Sequence, residues 1–219
     1  MSGRSQSITK QALELYLQGF FPMAEEGEID SGGVREIEWL QPRVRGLLPL
    51  DDRFHVPRSL QRTIRRRVFE VTSDEAFGRV IRECARPSPG RETTWLEPRI
   101  IRLFDALHAE GHAHSIEAWR VHHGVRTLVG GTYGLTLGRA WCGESMFSRP
   151  EAGGTDASKV CLVHLVHHLR NLGFTLFDAQ LSNPHLLQFG LFEVPAADYL
   201  QELSRCQQGT KPRWRAMLM

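Results

Sequence analysis

Residues 113–148 read AHSIEAWRVHHGVRTLVGGTYGLTLGRAWCGESMFS, and the fold class turns on them. Apolar and polar residues alternate from Ala113 to Arg120 and again from Thr127 to Tyr133, the period of half-buried strands, and a third strand is expected from Gly138 to Cys142. The segment GESMFS and a Gly-rich loop lead into Ala157–Asn171. There Val160, Leu162, Val163, Leu165, Val166 and Leu169 recur with a helical period that Gly173 ends. A strand, FTLFDAQ (174–180), and a helix carrying Asp198, Tyr199 and Leu203 follow. Strands in succession, then helix, strand and helix, predict an α+β domain around a mixed sheet.

Upstream, residues 8–19 predict an amphipathic helix with Thr9 as N-cap, Leu13, Tyr16 and Leu17 on its apolar face and Gly19 as C-cap. A turn at Phe20–Met23, an exposed loop over 25–33 and a short strand over Ile37–Leu40 complete a small N-terminal domain, residues 1–43. The main domain, 44–219, opens with the strand LLPL, a turn at Pro57, an Arg-rich helix, a strand at Phe69–Thr72 and a helix over Asp74–Cys84. The run PSPGRETTW is read as a loop and Ile100–Ala109 as a helix closed by Gly111.

With 219 residues, 41% of them hydrophobic, the chain can bury one substantial core and a small appendage. The polar start MSGRSQSITK lacks an apolar signal region and no stretch is apolar enough to span a bilayer, so a cytoplasmic protein with no membrane partner is expected. Cys84, Cys142, Cys161 and Cys206 are far apart and make no CxxC pair, which reads as reduced thiols. A net charge of +2 says little, but its distribution is uneven. Arg58, Arg62, Arg65 and Arg66, with Arg67 beside them, lie at spacings that share one helical face, and no acid interrupts the run. A solvated face and a phosphate-backbone contact both fit this stripe.

Three segments place polar residues where a sheet should present apolar ones: His114–Trp119, Gly143–Ser148 and Asp178-Ala179-Gln180. A period of two puts Asp178 and Gln180 on one face at a strand's C-terminal end, a favoured position for sites in open sheets. Standard chemistries fit poorly. The HAH and VHH groups lack partners at a metal-binding spacing, so no metal is assigned. Ser145 sits in neither a GxSxG elbow nor a Ser-x-x-Lys site, and no Walker loop exists to cradle a nucleotide.

Taken in order, Leu15-Tyr16, Gly19–Met23, Trp39 with Pro42, Arg45 and Gly46, Phe54–Leu60, Thr94–Leu96, Gly111–Trp119, Leu128–Gly131 with Tyr133-Gly134, Gly143–Arg149, Ala157–Lys159 and Asp178–Gln180 resemble the bacterial leucyl/phenylalanyl-tRNA–protein transferase family over nearly the whole chain. The chain departs from the family's usual pattern at Met23, Thr132 and Ala179 and lacks a Gly-Gly-Asp segment ahead of the first helix. The resemblance implies a main domain similar to the GNAT acyltransferase fold. Because the loop before the long helix reads GGTDASK instead of the pyrophosphate loop of those enzymes, no acetyl-CoA and no other cofactor is expected.

The implied reaction moves Leu or Phe from aminoacyl-tRNA to the N-terminal Arg or Lys of an acceptor protein, marking it for N-degron-dependent degradation. Asp178 and Gln180 are the implied catalytic pair, with Glu144 beside them supplying negative charge or bracing its loop. Trp141, Met146, Leu162 and Leu165 would line the aminoacyl side-chain pocket; Trp95, Tyr16 and Trp39 would wall it or stack on the terminal adenosine; Arg58, Arg62, Arg65 and Arg66 would grip the acceptor stem. A monomer suffices. On this reading Asp178→Ala should slow transfer severely and leave the fold and tRNA affinity near wild type. Two other readings stand beside it: a related transferase acting on acidic N-termini, and a GNAT-like module that binds tRNA or an N-degron without transfer.

Overall fold

The computed structural model describes residues 2–24, 37–87 and 94–217. Its first helix, α1 (Ser2–Leu17), starts earlier than the sequence suggests, so Thr9 lies inside the helix and is buried instead of capping it. Spacing decides the inward face: Thr9, Ala12 and Tyr16 align and are buried, while Leu17, one step round the helix, stays 41% exposed. The helix closes at Gly19, whose positive φ lets Phe20 N–H reach back to Leu15 C=O. Phe21–Ala24 is not a turn but a strand, β1, antiparallel to β2 (Ile37–Leu40). The expected loop over 25–33 and most of PSPGRETTW lie outside the described residues.

The remaining strands are β3 (Val44–Leu48), β4 (Glu70–Ser73), β5 (Ala113–His122), β6 (Val125–Leu137), β7 (Ala140–Ser148), β8 (Leu176–Gln180) and β9 (Phe192–Pro195). They form one seven-stranded sheet in the order β4-β5-β6-β7-β8-β3-β9. Every neighbouring pair is antiparallel except β7 and β8, which run parallel across the helix α5 (Ala157–Leu172). The other helices are α2 (Arg58–Arg65), α3 (Phe77–Ala85), α4 (Pro98–Ala109), the single turn α6 (Pro184–Leu187) and α7 (Ala196–Cys206). Among the described residues no helix is long and apolar enough to cross a membrane.

Each face of the sheet is covered. On one, Tyr16, Phe21, Ile81, Phe104, Tyr133 and Tyr199 form a core built from α1, α3, α4 and α7. On the other, Leu162, Leu165 and Leu169 of α5 pack with Trp141, Phe177, Phe54 and Leu60. Residues ahead of the expected boundary at 43/44 contribute Tyr16 and Phe21 to the first of these cores.

Two irregularities in the strand registers place the site. Between Tyr133↔Ser145 and Gly134↔Gly143 the ladder skips Glu144, and between Gly46↔Gln180 and Leu47↔Asp178 it skips Ala179. A bulge inserts one unpaired residue and re-aims the side chains after it. GESMFS is therefore the bulged second half of β7, and Cys142 and Phe147 share a core although strict alternation would oppose them.

Gly134 faces this bulge in a gap without room for a side chain: a Cβ there would lie 2.4 Å from Cys142 O and 2.5 Å from the Trp141 ring. Overpacking of this kind costs about 1–3 kcal/mol. Gly134→Ala is expected to lower the thermal midpoint and, by displacing Glu144, to reduce activity more than the loss of folded protein accounts for; a calorimetric scan beside a rate measurement checks both.

Candidate active site

The parallel pairing of β7 with β8 ends at Cys142↔Asp178, after which β7 continues to Ser148 beside β6 while β8 stops at Gln180. The strands part at this point, and Glu144, Asp178 and Gln180 meet there. Asp178 is fully buried, and so is the guanidinium that faces it. Arg45 donates from Nε to Asp178 Oδ1 at 2.8 Å and from Nη2 to Oδ2 at 2.6 Å. Gln180 N–H adds a bond to Oδ1 at 2.8 Å and the Tyr199 hydroxyl one to Oδ2 at 2.9 Å. Each carboxylate oxygen thus accepts two hydrogen bonds.

Burial works against the charge on Arg45, but its bonds to Asp178 outweigh that and hold its pKa above the ordinary arginine value. Its remaining contacts tie the site to the N-terminal segment and to α7: Nη1 donates to Gly19 C=O at 2.9 Å, and the guanidinium lies over the Phe21 and Tyr199 rings.

Glu144 is the unsaturated member. Its Oε1 accepts from Tyr16 OH at 2.7 Å and from Gln180 Nε2 at 2.9 Å, while its Oε2 is buried without a partner among the described residues. Burial pushes its pKa up to about 7, the two hydrogen bonds opposing and the nearby Asp178 charge adding to the rise. Burial and the Glu144 charge keep Tyr16 protonated as a donor. Gln180 joins the two carboxylates, giving its backbone N–H to one and its side-chain amide to the other, and it does so from a left-handed backbone conformation, φ 64°. A non-glycine residue held there is strained, as is common at functional sites.

Other expected residues separate into groups. Tyr16 is fully buried, edge-on to Trp39 at 5.8 Å, and holds Glu144. Trp39 and Trp95 are partly exposed on the same side of the sheet as Tyr16. Trp39 also lines a groove of about 580 Å³ between α1, β2 and α4, whose wall includes Ala12, Leu15, Leu103 and Arg102. Trp141, Leu162 and Leu165 do come together, but fully buried in the core on the opposite face; Met146, packed against that core, is partly exposed. Arg58, Arg62, Arg65 and Arg66 are all exposed and pair with no carboxylate among the described residues.

Sequence reading gave no role to Arg45 or Tyr199. A lone arginine ahead of a strand has no partner in sequence; only the pairing of β3 with β8, which sets Leu47 beside Asp178, brings the Arg45 side chain within reach of that carboxylate. The polar run in β5 is structural instead: Glu117 accepts from Ser115, from Thr72 at 2.6 Å and, weakly, from Ala76 N–H, and braces β5 against β4.

The architecture is similar to that of FemX, with a TM-score of 0.56 at 13% identity over 83% of this chain and 65% of that one. That likeness shows the class, a GNAT-like fold built on a mixed sheet. The family model described as leucyl/phenylalanyl-tRNA protein transferase matches residues 47–204. A leucyl/phenylalanyl-tRNA–protein transferase of Novosphingobium aromaticivorans is 48% identical over 196 residues, which is 90% of this chain and 69% of that protein. The chain belongs to the leucyl/phenylalanyl-tRNA–protein transferase family, and is an aminoacyltransferase with aminoacyl-tRNA as substrate.

The buried pair corrects one expectation. Asp178→Ala would leave Arg45 charged and unpaired in the core, a change that costs about 3–5 kcal/mol. The variant is expected to be strongly destabilised as well as inactive, whereas Glu144→Gln keeps its midpoint close to wild type; urea unfolding of both variants checks this.

Proposed function

We propose that this enzyme transfers Leu or Phe from the 3′ end of tRNA to an N-terminal Arg or Lys of an acceptor protein, with Glu144 as the proton acceptor. The observation that carries the assignment is the buried Oε2, without a partner among the described residues, of a carboxylate whose pKa burial raises to about 7. An acceptor α-amine has an ordinary pKa of about 7.7–8.0 and must be neutral to attack an ester. A base matched to that value is effective at physiological pH, and an oxygen without a partner is free to receive the proton.

Asp178, with both oxygens saturated, acts as a positioning residue: it fixes the Gln180 backbone, and Gln180 in turn orients Glu144. The acceptor ammonium passes one proton to Glu144, and the neutral amine attacks the ester carbonyl; as the bond from the carbonyl carbon to the ribose oxygen breaks, the second proton that the nitrogen loses on becoming an amide goes to that departing oxygen. Since Arg45 cancels the charge of Asp178, ionised Glu144 leaves the site with a net negative charge. That charge favours a cationic N-terminal side chain over an acidic one. Such a transfer would place a bulky apolar residue ahead of the original N-terminus, the chemistry of an N-degron.

We place the terminal adenosine against Trp39 and Trp95, with the apolar groove beside Trp39 receiving its flat faces. Of the four residues expected around the aminoacyl side chain, we assign Met146 to the lining and Trp141, Leu162 and Leu165 to the packed support behind β7. The unpaired arginines of α2 are assigned to the acceptor-stem phosphates. An acyl-CoA donor is disfavoured because the start of α5 is already occupied: Ala157 N–H bonds Gly154 C=O and Ser158 N–H bonds Ser148 Oγ at 2.9 Å.

The test is transfer of labelled Leu and Phe from charged tRNA to peptides differing only in a first residue of Arg, Lys, Asp or Glu, across pH 5.5–9. Arg and Lys peptides are expected to react, and Glu144→Gln to slow them by about 10²-fold or more and to remove the rise in rate that ionisation near pH 7 contributes. Preferred transfer to Asp or Glu peptides contradicts the acceptor assignment, and an unchanged pH profile in Glu144→Gln contradicts the base.

A further inference from the structure

Beyond α7 the chain leaves regular secondary structure and its burial alternates: Lys211, Arg213 and Arg215 are exposed, while Pro212 and Trp214 are partly buried. Trp214 seats this segment. Its ring stacks on His114 at 4.3 Å and on Trp141 at 5.4 Å, and meets the edge of His168 from α5 at 4.9 Å. Just downstream, Met217 N–H donates to Ser73 Oγ at 3.0 Å, fastening the tail to the end of β4. Three aromatic rings from three other parts of the chain thus hold Trp214, and with it a short segment whose outward face carries only cations.

None of Lys211, Arg213 and Arg215 pairs with a carboxylate among the described residues. Nor is the segment isolated. Arg215 and Arg67 line the same cavity of about 700 Å³ between α2 and α5, which also presents His164, His167 and His168. At this cavity the tail meets Arg67, the last residue of the arginine run that starts in α2, so cations from elements far apart in sequence come together there. Unpaired cations held at fixed positions suit a polyanion whose charges repeat along a line, and a nucleic-acid backbone is such a ligand.

We propose that the segment Lys211–Arg215 is a second contact for the phosphate backbone of the tRNA, docked by Trp214 and continuous with the α2 arginines. The proposal rests on the assignment of α2 to the acceptor stem. Two separated elements that grip one backbone fix its direction across the surface, which a single short helix cannot do. The aminoacyl end would then be aimed from the α5 side over the sheet edge toward the splay of β7 and β8.

The test compares salt dependence of binding to unfractionated tRNA for the full chain and three variants: Lys211→Gln/Arg213→Gln/Arg215→Gln, Arg62→Glu/Arg66→Glu and Trp214→Ala. Removing a cation from one phosphate reduces the slope of log K against log salt by about 1, so the tail triple variant should show a slope smaller by about 2–3. Its substitutions are all at exposed positions, so its thermal midpoint should stay at the wild-type value. Trp214→Ala keeps every cation and should still bind several-fold more weakly; wild-type affinity there would overturn the docking. A tail variant with an unchanged slope, beside a reduced slope for the α2 variant, overturns the proposal and leaves the α2 assignment standing. Unchanged slopes in both overturn the α2 assignment and the proposal together. Loss of binding to phosphatidylserine vesicles with tRNA binding intact would assign the tail to a lipid surface instead.

Discussion

The buried pair of Arg45 and Asp178 is the constraint on which the site depends. Placing two charges in the core is costly, and here the cost is met by geometry: two parallel hydrogen bonds between the charges, with Tyr199, Gln180 and Gly19 completing the set. The partners come from β3, β8, α7 and the turn after α1. A pair of this kind specifies an arrangement more than it stabilises one, because any other packing of those four elements leaves a charge stranded.

Function follows from what that arrangement leaves over. With Asp178 saturated, Glu144 becomes the carboxylate with a free oxygen, and the bulge in β7 is what turns it toward Tyr16 and Gln180. Its environment is apolar enough to hold it near neutrality and polar enough to keep it oriented. Two carboxylates a few residues from parallel strand ends have thus been given different work by their surroundings, one structural and one chemical. The N-terminal segment takes part directly, since Tyr16 holds the base and Gly19 the arginine.

Much of this was legible in the sequence, and the parts that were not share a cause. Hydrophobic period located α5, β5 and β8 closely and the middle of β6, and the polar residues Asp178, Gln180 and Glu144 stood out against it. Period fails where a bulge breaks it, so GESMFS looked like a segment after a strand although it continues β7. It fails for short edge strands such as β9, whose Phe-Glu-Val-Pro carries too few alternations and ends in proline. Pairings across the fold are also silent: nothing near Arg45 names Asp178 as its partner, and nothing near Trp214 names His114 or Trp141. Apolar character is ambiguous in the other direction, because Trp141, Leu162 and Leu165 suit a pocket lining and a core alike, and in the structure they lie buried together on the α5 face.

The central claim, that Glu144 is the group held ready to accept a proton, is open to direct measurement. Carbon-13 NMR titration of carboxylate-labelled protein, with the Glu144 resonance assigned by its loss in Glu144→Gln, should show a midpoint near 7, where burial holds it. A midpoint at the ordinary glutamate value of about 4.3 would contradict the account, because the carboxylate would then be a solvated surface acid and too weak a base for the role given to it.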